Sequence, residues 1–131
     1  MNFPPVVAMY GGLFALLYAL LSARVVVDRG RTGIVHGDGG HDGLNRVIRA
    51  HGNFAEYVPF ILLLVGFAEV RGASPSLVHA LLLPLMIARI MHPIGMQMPV
   101  GSRAQYAWRA TSATITWLVL VVAGVLLLVR G

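Results

Sequence analysis

The sequence predicts an all-α integral membrane protein, a four-helix bundle forming one small domain. Of 131 residues, 57% are hydrophobic and only 11% charged, whereas soluble domains carry roughly 25% charged residues. Two uncharged runs of twenty residues, Pro4 to Ala23 and Ala110 to Val129, flank two shorter apolar segments, and loops rich in Gly, Pro and Asp separate the four. A soluble bundle would need a polar face on each helix, and ATSATITWLVLVVAGVLLLV, the last segment, has none.

The first helix is expected over residues 4–27, since its uncharged run matches one crossing of a ~30 Å hydrocarbon core. No basic residue precedes that run, and it exceeds the ~7–15-residue apolar core of a signal peptide, so the helix is expected to be retained. Residues 28–44, DRGRTGIVHGDGGHDGL, lack periodicity and read as a loop. The second helix is expected over 45–71. Its apolar stretch, Tyr57 to Ala68, has twelve residues, about 18 Å of helix and too short to span, so it must extend back through Glu56, Asn53 and His51 to Arg49. The third, 76–98, follows the Gly72-Ala73-Ser74-Pro75 turn and must continue past Ala88 through Arg89 and His92. The fourth, 104–130, follows the break at Met98 to Ser102.

All ten basic residues are arginine, against five acids, for a net charge of +5. Nucleic-acid binding wants a basic stripe on a polar surface, whereas these arginines sit among apolar runs, so no nucleic-acid partner is expected. The absence of cysteine removes disulfides, thiolate-ligated metal and a cysteine nucleophile. His36-Gly37-Asp38-Gly39-Gly40-His41-Asp42 contains ligand types without an established ligand spacing, so no metal is expected, and no phosphate loop follows it.

Arg24, Arg29, Arg31, Arg46, Arg49 and Arg103 fall on the side of the first and third loops, against Arg71 and Arg130 on the other. The positive-inside bias then puts both loops in the cytoplasm and both termini outside. With alternating helices, Arg24, Arg49, His51, Asn53, Glu56, Arg89, His92, Arg103, Tyr106 and Arg109 share one leaflet. Arg49, Asn53 and Glu56 are spaced i, i+4, i+7 on one face. Ionisable residues at such depth face the bundle interior and mark a ligand or ion path. Arg49, Arg89 and Arg109 outnumber Glu56, so the excess charge wants an anionic ligand, for which the arginine fork is suited. Thr111, Ser112, Thr114 and Thr116 can bond across helices, and Pro59, Pro84 and Pro93 read as kinks tolerated by neighbouring helices.

These residues resemble a known family. Arg49-Ala50-His51-Gly52-Asn53-Phe54-Ala55-Glu56-Tyr57-Val58-Pro59 is similar to the second-helix signature of the membrane-associated proteins in eicosanoid and glutathione metabolism, the MAPEG family, and the chain resembles its small bacterial branch. Ser22-Ala23-Arg24, Ala88-Arg89-Ile90-Met91-His92 with Gly95, and Trp108-Arg109 extend the likeness over all four helices. The resemblance implies a homotrimer in the inner membrane, with glutathione as co-substrate in a cleft between subunits. It places Arg24, Arg49, His51, Asn53, Glu56, Tyr57, Arg89 and His92 at or near glutathione.

The resemblance also implies that an arginine of helix four holds the glutathione thiol as thiolate for attack on a hydrophobic small molecule. Arg103 and Arg109 both fall in range, and Arg109 is preferred for its place just inside the apolar span. Met96 stands where several relatives have a tyrosine, and Tyr106 is the candidate to replace it; Gly52 stands where some relatives have another arginine. The expected activity is that of a glutathione-dependent transferase or peroxidase. The alternative is a non-catalytic scaffold that binds a lipid or hydrophobic ligand. A small drug exporter would want a membrane acid on helix one, which has none.

Overall fold

The computed structural model describes residues 4–129. It is all helical: α1 (Pro5–Thr32), α2 (Asp42–Val70), α3 (Pro75–Gln97) and α4 (Arg103–Val129). Each is long and apolar enough to cross a membrane. α3 packs most extensively on α4, and α1 on α2. The core runs between them through Phe14, Val58, Ile61, Val65, Leu82 and Leu85, each at most 1% exposed. Outward faces are apolar, with Leu16, Phe60, Ile87, Trp117 and Val121 all exposed, as a bilayer environment demands.

α1 runs on to Thr32, past the expected end at residue 27. Asp28 holds the added turns, pairing with Arg24 at 3.0 Å and Arg31 at 3.5 Å, one helical turn away on either side. Gly33 ends the helix in the left-handed region, with φ of 70° and its N–H on the Arg29 carbonyl; a residue with a Cβ would be strained there. The loop is accordingly shorter than 28–44, and it is built. The Arg29 guanidinium, expected as a topology charge, donates to the carbonyls of Ile34 (3.1 Å) and Gly37 (2.9 Å).

Asp38 accepts from the Gly40 N–H at 3.0 Å and from the Asn45 side chain. These bonds hold its carboxyl below the usual value of 3.8. His41 then caps α2, its Nδ1 accepting from Leu44 N–H at 3.1 Å, so that α2 starts at Asp42 rather than 45. Ser102 caps α4 by accepting from Gln105 N–H at 3.1 Å, while the Gln105 side chain accepts from Gly101 N–H at 3.0 Å; this reciprocal arrangement resembles a capping box. The expected end of helix four at residue 130, and Arg130 with it, lie outside the described residues.

At the end of the bundle away from this loop, Glu69 of α2 accepts from the N–H groups of Val6 (3.0 Å) and Val7 (2.8 Å). α1 has no side-chain cap and no acid in its first turn. A carboxylate from another helix thus satisfies two of its free donors and opposes the positive end of its dipole. Tyr10 Oη and His79 Nδ1, 3.2 Å apart, join α1 to α3 at the same end.

Candidate functional site

A polar stripe runs along α2 from the loop end inward. Asp42, Arg46, Arg49, Asn53 and Glu56 alternate spacings of four and three, which keeps them on one side, while Val47, Phe54, Val58 and Ile61 on the other side are buried. Arg49 Nη1 lies 3.5 Å from Glu56 Oε1, with the two side chains 56% and 52% exposed. Gly52 sits between them, and a Cβ there would lie 3.8 Å from each charged group. A small residue leaves this pair open from above.

Asn53 turns the stripe inward. Its Oδ1 accepts from Arg89 Nη1 at 2.6 Å, and Arg89 Nη2 donates to the Ser112 carbonyl at 3.2 Å and to the Thr116 hydroxyl. Arg89 is only 2% exposed. Its two terminal nitrogens are therefore bonded to neutral acceptors of α2 and α4, while its Nε is buried with no partner among the described residues. Buried cations need such bonds, and here they tie three helices together.

His92, one turn along α3, places Nδ1 3.2 Å from Ser112 Oγ, and that hydroxyl donates to the Arg109 carbonyl at 3.0 Å. His92 thus joins α3 to α4 within the chain. Arg109 itself is exposed, and among the described residues it has no carboxylate partner. It lines a cavity of about 420 Å3 with Asp42, Asn45 and Arg46 of α2, Met96 of α3, and Gln105 and Tyr106 of α4. Tyr106 and Met96 both line this cavity, so the Tyr106 phenol opens on the same space as the position where relatives are expected to carry a tyrosine. A neighbouring cavity of about 320 Å3 holds Arg29, Asp38, Asn45 and Arg49.

Four expected site residues stand apart from this group within the chain. Arg24 pairs with Asp28 and faces a different cavity with Arg31, His41 and Gln97. His51 faces α1, with Nε2 3.1 Å from Ser22 Oγ and its ring stacked on Tyr18 at 4.8 Å. Tyr57 lies toward α4, where Trp117 Nε1 donates to its hydroxyl at 3.4 Å. Arg103 is the exposed first residue of α4.

The open cation of α4, the open ion pair of α2 and the buried arginine of α3 all lie within residues 7–129, which match one family model. The chain belongs to the MAPEG family. It is 36% identical over 110 residues to the inner membrane protein YecN of Escherichia coli (strain K12), over 84% of this chain and 80% of the relative. YecN of Escherichia coli O6:H1 matches to the same extent. In this MAPEG chain, Asp42, Asn45 and Arg46 line the cavity of Arg109, although the sequence pattern assigns Arg46 only a topology role, Asp42 only a place in the glycine-rich run, and Asn45 none. Continuing the Arg49–Asn53–Glu56 period two turns upstream would have found Asp42 and Arg46.

Proposed function

We propose that this MAPEG protein is a glutathione-dependent transferase or peroxidase of the bacterial inner membrane. The observation that carries this reading is the exposed Arg49–Glu56 pair lying on the same polar stripe as a 420 Å3 cavity that contains Arg109. Glutathione has two carboxylates for arginine forks and an amino group for Glu56. Arg89, with its fork already occupied, supports the site from behind rather than touching the tripeptide. Arg24 and His51 face away from the stripe, so in the homotrimer we propose they serve the site of a neighbouring subunit, which the loop end directs to the cytoplasm.

The chemistry follows from one charge. A free thiol with a pKa near 8.5 is mostly protonated at neutral pH. A guanidinium at hydrogen-bond distance favours the thiolate, the proton leaving to water, and the effect is larger where the dielectric is low. With an aryl halide, a C–S bond forms and the halide departs with its electron pair. With a lipid hydroperoxide, the thiolate takes the distal oxygen and the O–O bond breaks. The alcohol leaves after protonation, and a second glutathione reduces the sulfenate to give the disulfide and water.

Calorimetry in detergent tests the site: wild type is expected to bind glutathione and Arg49→Ala to lose at least tenfold in affinity, about 1.4 kcal/mol. Absence of binding by the wild type overturns the assignment. Arg109→Ala is expected to keep most of the binding and lose the ultraviolet thiolate signal; a signal that persists moves the role to Arg103.

A second reading, a scaffold for a lipid, is favoured by an apolar cavity of about 350 Å3 between α1 and α2, walled by Phe14, Tyr18, Phe54 and Pro59. Turnover of a generic aryl halide or lipid hydroperoxide with glutathione separates the two, since a scaffold gives none.

A further inference from the structure

Gly95 lies buried near the end of α3. A Cβ built there would stand 2.9 Å from Trp108 Cβ and 3.4 Å from both the backbone nitrogen and Cγ of Arg109. The first two atoms belong to or are fixed to the α4 backbone and cannot rotate away, so a methyl group would displace that turn. Elsewhere in the helices Gly11, Gly12, Gly30 and Gly124 face open space, Gly66 meets only the Val7 side chain at 3.6 Å, and Gly43 and Gly52 meet only side chains of their own stretch of chain, His41, Arg49 and Glu56. At Gly95, α3 thus comes close to the Trp108–Arg109 turn of α4.

A second contact lies one turn away in the same register. His92 is three residues before Gly95 on α3, and Ser112 three residues after Arg109 on α4. His92 Nδ1 holds Ser112 Oγ at 3.2 Å, and Ser112 Oγ holds the Arg109 carbonyl at 3.0 Å. Gly95 on one side and the His92–Ser112 pair on the other fix the height and rotation of the Arg109 turn. We infer that Gly95 is a positioning residue for Arg109, the absent side chain seating the arginine stem so that its guanidinium is held at the cavity.

This inference rests on the proposed thiolate role of Arg109. Charge stabilisation falls with distance, and a misplacement of about 1 Å is costly at a reacting centre. Helix propensity acts in the opposite direction, because alanine is favoured over glycine inside a helix. A variant at this position should therefore keep its helices while losing its effect on the thiol.

The test uses the full chain in detergent with glutathione as probe, following thiolate absorbance against pH for wild type, Gly95→Ala and Gly124→Ala. Gly124→Ala is expected to match wild type. Gly95→Ala is expected to raise the titration midpoint by about half a pH unit or more, while glutathione affinity measured by calorimetry changes less than about threefold. A Gly95→Ala midpoint equal to that of wild type overturns the inference and leaves the Arg109 role intact. A wild type without a thiolate signal overturns that role and the inference together. Should Gly95→Ala fail to fold, Trp108→Gly in the same chain removes the 2.9 Å contact and is expected to restore folding; failure to do so also overturns the inference.

Discussion

The two ends of the bundle spend their polar groups differently. Away from the loop, Glu69 is consumed by the first N–H groups of α1, Tyr10 is bonded to His79, and Arg71 reaches the Leu127 carbonyl of α4 at 3.5 Å. These contacts join helix ends within one chain. At the loop end, both terminal nitrogens of Arg89 are bonded within the chain, but among the described residues Arg49 and Glu56 hold only each other with half of each side chain exposed, and Arg109 lines a cavity. A charge whose hydrogen bonds are made within the chain is a structural element, whereas one left open is available to a ligand. Residue type does not separate the two classes, since Arg89 and Arg49 are the same amino acid.

The largest effect expected from breaking this contrast is at Arg89. Arg89→Ala removes three bonded contacts, leaves Asn53 and Thr116 without a charged donor and opens a void. The cost is about 3 kcal/mol of stability, read as a fall in thermal midpoint in detergent with or without glutathione. A variant as stable as wild type would break the division into closed and open arginines.

Glu69→Ala comes next. It strips two helix-end donors of their acceptor and one charge from the α1 dipole, at about 1–2 kcal/mol. Hydrogen exchange should accelerate at the start of α1 with the loop end unchanged. Arg49→Ala is expected to cost less than about 1 kcal/mol of stability, because an exposed ion pair contributes little, and its effect should appear in ligand binding. The same substitution type at Arg49 and Arg89 therefore separates binding from folding.

Much of this was legible from sequence. The uncharged runs of α1 and α4 exceed what a soluble helix needs, and the shortness of Tyr57–Ala68 and Ser76–Ala88 forces Glu56, Asn53, Arg89 and His92 into spanning helices; period alone put Arg49, Asn53 and Glu56 on one face. The extension of α1 was hidden because Asp28, Gly30 and Arg31 carry loop composition, while the Asp28 pairs that hold the helix depend on its already being helical. Glu69 was hidden for another reason. Its partners are backbone N–H groups more than sixty residues away, which no side-chain pattern encodes. The difference between Arg49 and Arg89 depends on which helix each faces, and spacing within one helix cannot report that.

The smallest expected effect lies at the edge of the open region. Asp38 holds Gly40 N–H and the Asn45 side chain, and Asn45 borders both the Arg49 and the Arg109 cavities. Its carboxyl titrates below the ordinary 3.8, chiefly because of the Gly40 N–H and then Asn45. A carboxylate with a depressed folded value adds order above the unfolded pKa and loses it as pH falls through the folded one. Backbone protection of the 33–41 loop should therefore be greater in wild type than in Asp38→Asn at neutral pH, and the two should converge as pH falls below about 4. A difference that persists in acid would show that Asp38 orders the loop without its charge, whereas equal protection at neutral pH would show that Arg29 and its carbonyl partners hold the loop alone, leaving Asn45 free to turn toward either cavity.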